Sequence, residues 1–86
     1  MNDSAVYYAI VDHRSTRNDP AGIARRRQLD EGGFRDEALN LDLNWRFTPL
    51  IVEWKRAEST DDLVEVTEDE AKRIIERLHE RWADSG

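Results

Sequence analysis

The sequence predicts a small α+β domain in which an antiparallel sheet of two to four strands packs against a C-terminal amphipathic helix. Three observations predict this fold: a β-branched and aromatic segment at residues 5–12, turn signals that separate further extended segments, and a capping box followed by apolar residues at helical spacing. A short helix is expected near residues 49–57. Residues 1–86 are expected to form one domain, with disordered ends at 1–4 and 84–86.

The first predicted strand is the segment AVYYAIVD, residues 5–12, which contains β-branched and aromatic residues and no helix or strand breaker. Both of its faces are rather apolar, so we expect a central strand or one that is covered on both sides. Alternation divides its side chains into two sets, Val6, Tyr8 and Ile10 on one face and Ala5, Tyr7, Ala9 and Val11 on the other.

A polar connection at residues 13–22 precedes the second predicted strand, GIARRRQL. Pro20 and Gly22 supply turn chemistry, because proline fixes φ and glycine tolerates positive values. The second strand is therefore expected to run antiparallel to the first.

Three consecutive arginines occupy the second strand. Alternation places Arg25 and Arg27 on one face and Arg26 on the other. Neighbouring like charges repel, so the triplet requires exposure to water or carboxylates close by. The local candidates are Asp30, Glu31, Asp36 and Glu37, across a turn at Gly32 and Gly33.

The segment from residue 34 to 43 fits two structures. Ala38, Leu41 and Trp45 are spaced as on a helix, whereas the leucines at 39, 41 and 43 alternate with polar residues as in a strand. We favour a strand that ends before Leu41.

The segment TPLIVEWKRAE predicts the short helix. Thr48 is a suitable cap and Pro49 suits the first helical position, after which Leu50, Ile51 and Trp54 line one side. The β-branched pair at residues 51–52 opposes this prediction, because such side chains lose rotamer freedom in a helix.

The C-terminal helix carries the clearest local signal. Thr67 and Glu70 form a capping box, following a short extended piece, LVEV. The helix is predicted over about residues 68–83 and must lie on the sheet. Its apolar stripe consists of Ala71, Ile74, Ile75, Leu78 and Trp82.

Charge is unevenly distributed along the chain, whose formal net charge is −6. Residues 1–29 carry five arginines and three aspartates, a net charge of +2, whereas residues 30–86 have a net charge of −8. We expect the two parts to pair within the molecule. The overall negative charge disfavours general binding to nucleic acid.

The order of YYAIVDHRSTRNDPAGIARRR, DEGGFRDEAL, WRFTPL and LVEVTEDEAKRIIERL resembles a group of short actinobacterial proteins. That group has the general pattern YYA-V-, P-G--RR, DEA-, W--T-L and -VEI-EEEA--I-ER, which covers nearly the whole chain. Its shared motifs are turns, caps and core positions. The resemblance implies the same fold and a bacterial origin, and it carries over no catalytic residue.

Catalytic chemistry has little basis in the sequence. Asp12, His13 and Ser15 are the residue types of a hydrolase triad, but neighbours in one segment point in different directions. His79 has Glu76 and Glu80 nearby, whereas a specific metal site needs three or four converging ligands. The chain contains no cysteine. We predict no enzyme activity, no metal site and no cofactor.

The predicted function is a protein-interaction module, because tryptophan and arginine are frequent in interface hot spots. The module is expected to dock through a basic strand edge, which Arg14 and Arg17 extend, and through aromatic residues around the turn at residues 48–49. The partner is an unknown protein or a second copy of this chain. The predicted binding residues are Arg25, Arg26, Arg27, Trp45, Arg46 and Trp54.

The alternative is a nucleic-acid-binding regulator that uses residues 25–27, with Tyr7 or Tyr8 stacking on bases. No segment is predicted to cross a membrane, because the only apolar run near the N-terminus, residues 5–11, is too short. The expected location is the cytoplasm.

Overall fold

The computed structural model describes residues 5–84, apart from the side chain of Asp84, and shows an α+β fold. The expectations for residues 1–4 and 85–86 lie outside the described residues. Asp84 is the last residue of a helix. The elements in chain order are β1 (Ala5–Val11), β2 (Gly22–Gln28), β3 (Phe34–Leu39), β4 (Trp45–Phe47), α1 (Leu50–Lys55), β5 (Asp62–Val66) and α2 (Glu68–Asp84).

Within residues 5–84 the strands form one five-stranded antiparallel sheet in the order β4-β3-β2-β1-β5. The predicted number of two to four strands was therefore wrong. The short extended piece before the last helix pairs with β1, as in the register Ala9 with Val64. Strand β4 was not predicted, because three residues are too few to show a period of two.

Strand β1 is covered on both faces, as its composition predicted. Ala9 belongs to a cluster with Ile23 and Leu78, on the side of the sheet where α2 lies. The neighbouring Tyr8 belongs to a second cluster with Ile51, on the side of α1. The sheet therefore lies between two helices, and each face has its own hydrophobic core.

The helix α2 begins with the predicted capping box. The backbone N–H of Glu70 donates to Thr67 Oγ1 at 3.1 Å, and the backbone N–H of Thr67 donates to Glu70 Oε1 at 3.2 Å. The apolar stripe packs on β1 and β2, with Leu78 almost fully buried. The packing of this helix against the sheet confirms the prediction.

The helix α1 lies within the predicted range, although it is shorter. Pro49 is its N-cap residue rather than its first helical residue, and the backbone N–H of Leu50 donates to Thr48 Oγ1. At the C-terminal end, Ala57 has a φ of 61° and its N–H donates to the carbonyl of Trp54. The next N–H, of Glu58, donates to the carbonyl of Glu53, so the helix ends in a Schellman motif without glycine.

The segment with two possible structures forms a strand, β3, which ends at Leu39 as favoured. Gly32 and Gly33, with φ values of 95° and 79°, form the turn from β2. The backbone N–H of Gly32 donates to the carbonyl of Leu29, and a second such bond joins Leu29 to Gly33. These glycines fix the register in which each arginine of β2 opposes a residue of β3.

Candidate functional site

The three arginines of β2 lie inside the sheet rather than at its edge. Strand β2 pairs with β1 on one side and with β3 on the other. Arg26 points to the α1 face, while Arg25 and Arg27 point to the α2 face, as alternation predicted. The expected basic strand edge is therefore absent from the described structure, and the triplet does not form one surface.

Arg26 binds Asp36, its direct partner in the register between β2 and β3. The guanidinium donates two hydrogen bonds, from Nε to Oδ1 at 2.7 Å and from Nη2 to Oδ2 at 2.9 Å. The Asp36 side chain is only 4% exposed. These hydrogen bonds raise the pKa of Arg26 above its usual value. The guanidinium also stacks on the ring of Phe34, 3.8 Å from its centroid.

On the opposite face, three arginines surround Glu37, whose side chain is only 6% exposed. Arg25 Nη2 lies 2.9 Å from its Oε1, and Arg27 Nε lies 3.3 Å from the same oxygen. Arg35 Nε lies 3.2 Å from Oε2. The carboxylates of residues 36–37 thus compensate much of the positive charge of the triplet. Both were among the nearby carboxylates that the sequence predicted for this role.

Trp45 packs on the α2 face beside this charge cluster. The Arg25 guanidinium lies over its ring at 4.0 Å from the centroid, and Tyr7 contacts it edge-on at 6.4 Å between ring centroids. The tryptophan is half-buried against the hydrophobic cluster under α2. Its main contacts are therefore structural.

Trp54 lies on the other face of the sheet, so the two tryptophans do not form the expected cluster. Its ring packs against Tyr8, with centroids 6.0 Å apart, and its Nε1–H donates to Asp62 Oδ1 at 3.1 Å. Burial, together with the nearby carboxylate of Glu65, raises the pKa of Tyr8. The hydrogen bond from Trp54 to Asp62 links α1 to β5.

Of the six predicted binding residues, Arg46 is the most exposed to solvent. It lies on β4 and forms an ion pair with Asp42, an exposed partner on the preceding loop. The hydrogen bond from Arg46, followed by one from the backbone of Asn44, lowers the pKa of Asp42. The side chain of Arg46 is 60% exposed, so it is accessible to a partner.

A groove beside β4 brings together residues that the sequence analysis did not assign as a site. It has a volume of about 350 Å³, and its lining includes Phe34 and Phe47, which are 51% and 70% exposed. We call it the aromatic groove, and it is lined by Phe34, Arg35, Asp36, Phe47, Thr48, Pro49 and Val52.

Strand β4 offers an open backbone edge next to this groove. Its hydrogen bonds with β3 are flanked by those from Thr48 N to Asp36 O and from Asn40 N to Asn44 O. Because hydrogen-bonded and non-hydrogen-bonded pairs alternate in an antiparallel ladder, the backbone groups of Trp45 and Phe47 point away from β3. No strand within residues 5–84 lies on that side of β4.

The sequence contained only a partial signal for the aromatic groove. Phe47 is one of the aromatic residues next to the turn at residues 48–49, where Trp45 and Trp54 compete with it for a small interior. Phe34 follows the glycine turn and precedes charged residues, a position at which an apolar side chain has few buried neighbours. The groove also requires the start of α1 to approach the first residues of β3, and these segments are brought together only by the tertiary fold.

Asp12 and Ser15 form a local turn, and neither forms a hydrogen bond with a histidine side chain in the described part of the chain. The Ser15 hydroxyl donates to Asp12 Oδ1 at 3.0 Å, and the backbone N–H of Arg14 donates to the same oxygen at 2.9 Å. The N–H of Arg14, followed by the Ser15 hydroxyl, lowers the pKa of Asp12. Among residues 5–84, no three metal-ligating side chains of His, Asp or Glu gather at one point.

Comparison with known protein families, curated proteins and solved structures gives no match to this chain. Of the helices in the described part of the chain, none has the length and apolar character needed to span a membrane. The functional interpretation therefore depends on the geometry of the surface.

Proposed function

We propose that the protein is a non-enzymatic protein-interaction module that binds an extended apolar segment of a partner protein at β4 and the aromatic groove. The observation that carries this proposal is that Phe34 and Phe47, two largely exposed aromatic residues, line the same groove. Large exposed apolar groups that flank a concave surface are typical of binding sites.

The open edge of β4 supports an extended ligand. A partner strand can pair with the outward backbone groups of Trp45 and Phe47, as in β-strand addition. Side chains on alternate positions of that strand then reach the aromatic groove, where apolar burial provides affinity. Arg46, at the middle of β4, provides an exposed charge beside the bound segment.

The other predicted binding residues support the surface rather than form it. Arg26 stacks under the ring of Phe34 and is fixed by Asp36. Trp45 and Arg25 stack on each other on the α2 face of the sheet. A nucleic-acid function receives no comparable support, because carboxylates within the sheet compensate the arginines of β2.

Peptide selection followed by mutation tests the proposal. A random peptide library is selected against the folded protein, and the affinity of the enriched peptides is then measured by calorimetry. We expect Phe47→Ser and Phe34→Ser each to weaken binding by about tenfold or more, the effect of losing a buried aromatic anchor. Amide chemical shifts of β4 should change on binding.

Leu41→Ser is the matched control, because Leu41 is 73% exposed and does not line the aromatic groove. Its affinity for the same peptides should equal that of the unaltered protein. Equal affinities of the groove variants and the control, or a library that yields no binder, would refute the proposal. A concentration-dependent dimer that Phe47→Ser abolishes would identify a second copy of the chain as the partner.

A further inference from the structure

The connection between β1 and β2 lies against α2 and is held there by side chains of the helix. Arg77 Nη1 donates to the carbonyl of Asn18 at 2.6 Å, and Arg17 Nη2 lies 3.3 Å from Glu70 Oε2. Arg81 pairs with Asp19. Arg81 Nη1 also donates to the carbonyl of Pro20 at 3.3 Å, so the connection is anchored at four consecutive residues, 17–20.

A pocket of about 230 Å³ remains between the connection and the helix. It is a second concave site, separate from the aromatic groove. We call it the loop–helix pocket, and it is lined by Arg17, Asn18, Glu70, Arg73, Ile74 and Arg77.

The loop–helix pocket carries an excess of positive charge in a chain whose net charge is −6. Three guanidinium groups line it, together with one carboxylate, that of Glu70. Glu70 already pairs with Arg17 and accepts a hydrogen bond from the backbone of Thr67. The other two arginines, Arg73 and Arg77, form no ion pair with a carboxylate among the described residues.

The contacts of these two arginines indicate which kind of group the pocket can bind. Arg73 makes no ion pair with any residue of the described chain, and Arg77 bonds to a neutral carbonyl. The two are separated by one helical turn, where like charges repel each other. Asp69 and Glu76 are close in sequence, but neither lies within ion-pair distance of them in the described structure.

We propose that the loop–helix pocket binds the phosphate group of a small phosphate monoester. Such a group carries a charge of about −1.5 to −2, which matches the excess of two guanidinium groups. Arginine forms paired hydrogen bonds with phosphate oxygens, and bridging by one anion relieves the repulsion between Arg73 and Arg77. Ile74 provides an apolar wall for the carbon-bearing part of the ligand.

Titration with inorganic phosphate tests this proposal on the full chain. Amide shifts are followed by NMR while phosphate replaces chloride at constant ionic strength, which keeps general screening unchanged. We expect saturable shifts confined to residues 17–18 and 70–77. Arg73→Gln should weaken the phosphate affinity by about tenfold. The affinity of Arg73→Lys should lie between those of Arg73→Gln and the unaltered protein, because lysine keeps the charge and loses the planar guanidinium group.

Lys72→Gln is the matched control, since it removes the same charge from the neighbouring, exposed position outside the pocket. It should leave the phosphate affinity within about twofold, because exposed charges outside the site act through screened water. Shifts that do not saturate, equal losses in Arg73→Gln and Lys72→Gln, or acetate binding as tightly as phosphate would each overturn the assignment. None of these variants alters the aromatic groove.

Discussion

Arg26 and Asp36 face each other across β2 and β3, and the guanidinium donates two hydrogen bonds to the carboxylate, at 2.7 and 2.9 Å. Asp36 is buried in the interior of the sheet. The pair joins the basic part of the chain to its acidic part. Both charged groups are largely shielded from solvent. The contribution of the pair to stability is therefore measurable by removing one partner or both.

Arg26→Met should lower the free energy of unfolding by about 3 kcal/mol, because it leaves a buried carboxylate without its partner. The double variant Arg26→Met/Asp36→Leu should recover most of this loss, since no charge then remains buried. Urea unfolding followed by tryptophan fluorescence measures both. Arg46→Met removes an exposed pair and should have a much smaller effect, because solvent screens exposed ion pairs; a loss as large as that of Arg26→Met would contradict the argument.

Truncations on the two faces test the two-sided core. Ile51→Ala on the α1 face and Leu78→Ala on the α2 face should each destabilise the protein by about 2–5 kcal/mol, because both residues are fully buried. Leu41→Ala, at an exposed position, should change the free energy of unfolding by less than about 0.5 kcal/mol. If Ile51→Ala behaved like Leu41→Ala, α1 would not be part of the core.

Ala57→Gly should stabilise the protein by about 1 kcal/mol. Ala57 occupies the left-handed C′ position of a Schellman motif, at a φ of 61°, where glycine avoids the clash of a Cβ. Thermal unfolding measures the change. Ala21→Gly is the control, because Ala21 has no positive φ and glycine there should destabilise by about 0.5–1 kcal/mol. A loss of stability in both variants would count against the motif.

The capping box predicts a pH dependence. The hydrogen bond from the backbone N–H of Thr67, followed by the positive charge of Arg17, lowers the pKa of Glu70. A depressed carboxyl pKa adds stability above the unfolded value, about 4.3, and that contribution disappears as the pH falls through the folded value. Glu70→Gln should thus lower the melting temperature at pH 7 and leave it nearly unchanged at about pH 2.

Glu68→Gln is the control for this pH prediction. Glu68 lies in the same first turn of α2 and also interacts with the helix dipole, but it makes no hydrogen bond to Thr67. Its effect on melting at pH 7 should be smaller than that of Glu70→Gln. The prediction fails if the two variants have the same effect, or if the effect of Glu70→Gln persists in acid.

Phe47→Ser should separate binding from folding. Phe47 is 70% exposed, so its replacement should change the free energy of unfolding by no more than about 0.5 kcal/mol. Urea unfolding measures this on the same samples that are used for peptide binding. A marked loss of stability would show that Phe47 contributes to the core and would remove the main argument for the aromatic groove.

Local chemistry made much of the fold predictable. The capping box located the start of α2, the apolar stripe identified its buried face, and the composition of residues 5–11 indicated a strand covered on two sides. The Gly32 and Gly33 turn likewise separated β2 from β3. Each of these signals depends on residues that are close in sequence.

Tertiary pairing was not predictable in the same way. The sequence of residues 62–66 indicates only an extended segment, and its partner strand, β1, lies more than fifty residues earlier. Tertiary pairing also decides the position of the tryptophans. Trp45 and Trp54 are close in sequence, but they lie on opposite faces of the sheet. The interior position of β2 depends on β3, so the arginines could be assigned to faces but not to an interior strand.

The pairing of β1 with β5 also has a consequence for synthesis of the chain. β5 contributes Leu63 to one core and Val66 to the other, so neither can close until residues 62–66 have left the ribosome. Contacts between distant segments delay folding, because the intervening chain must first be closed into a loop. Until residues 62–66 emerge, β1 therefore lacks its β5 partner, and chaperones can recognise its exposed apolar residues.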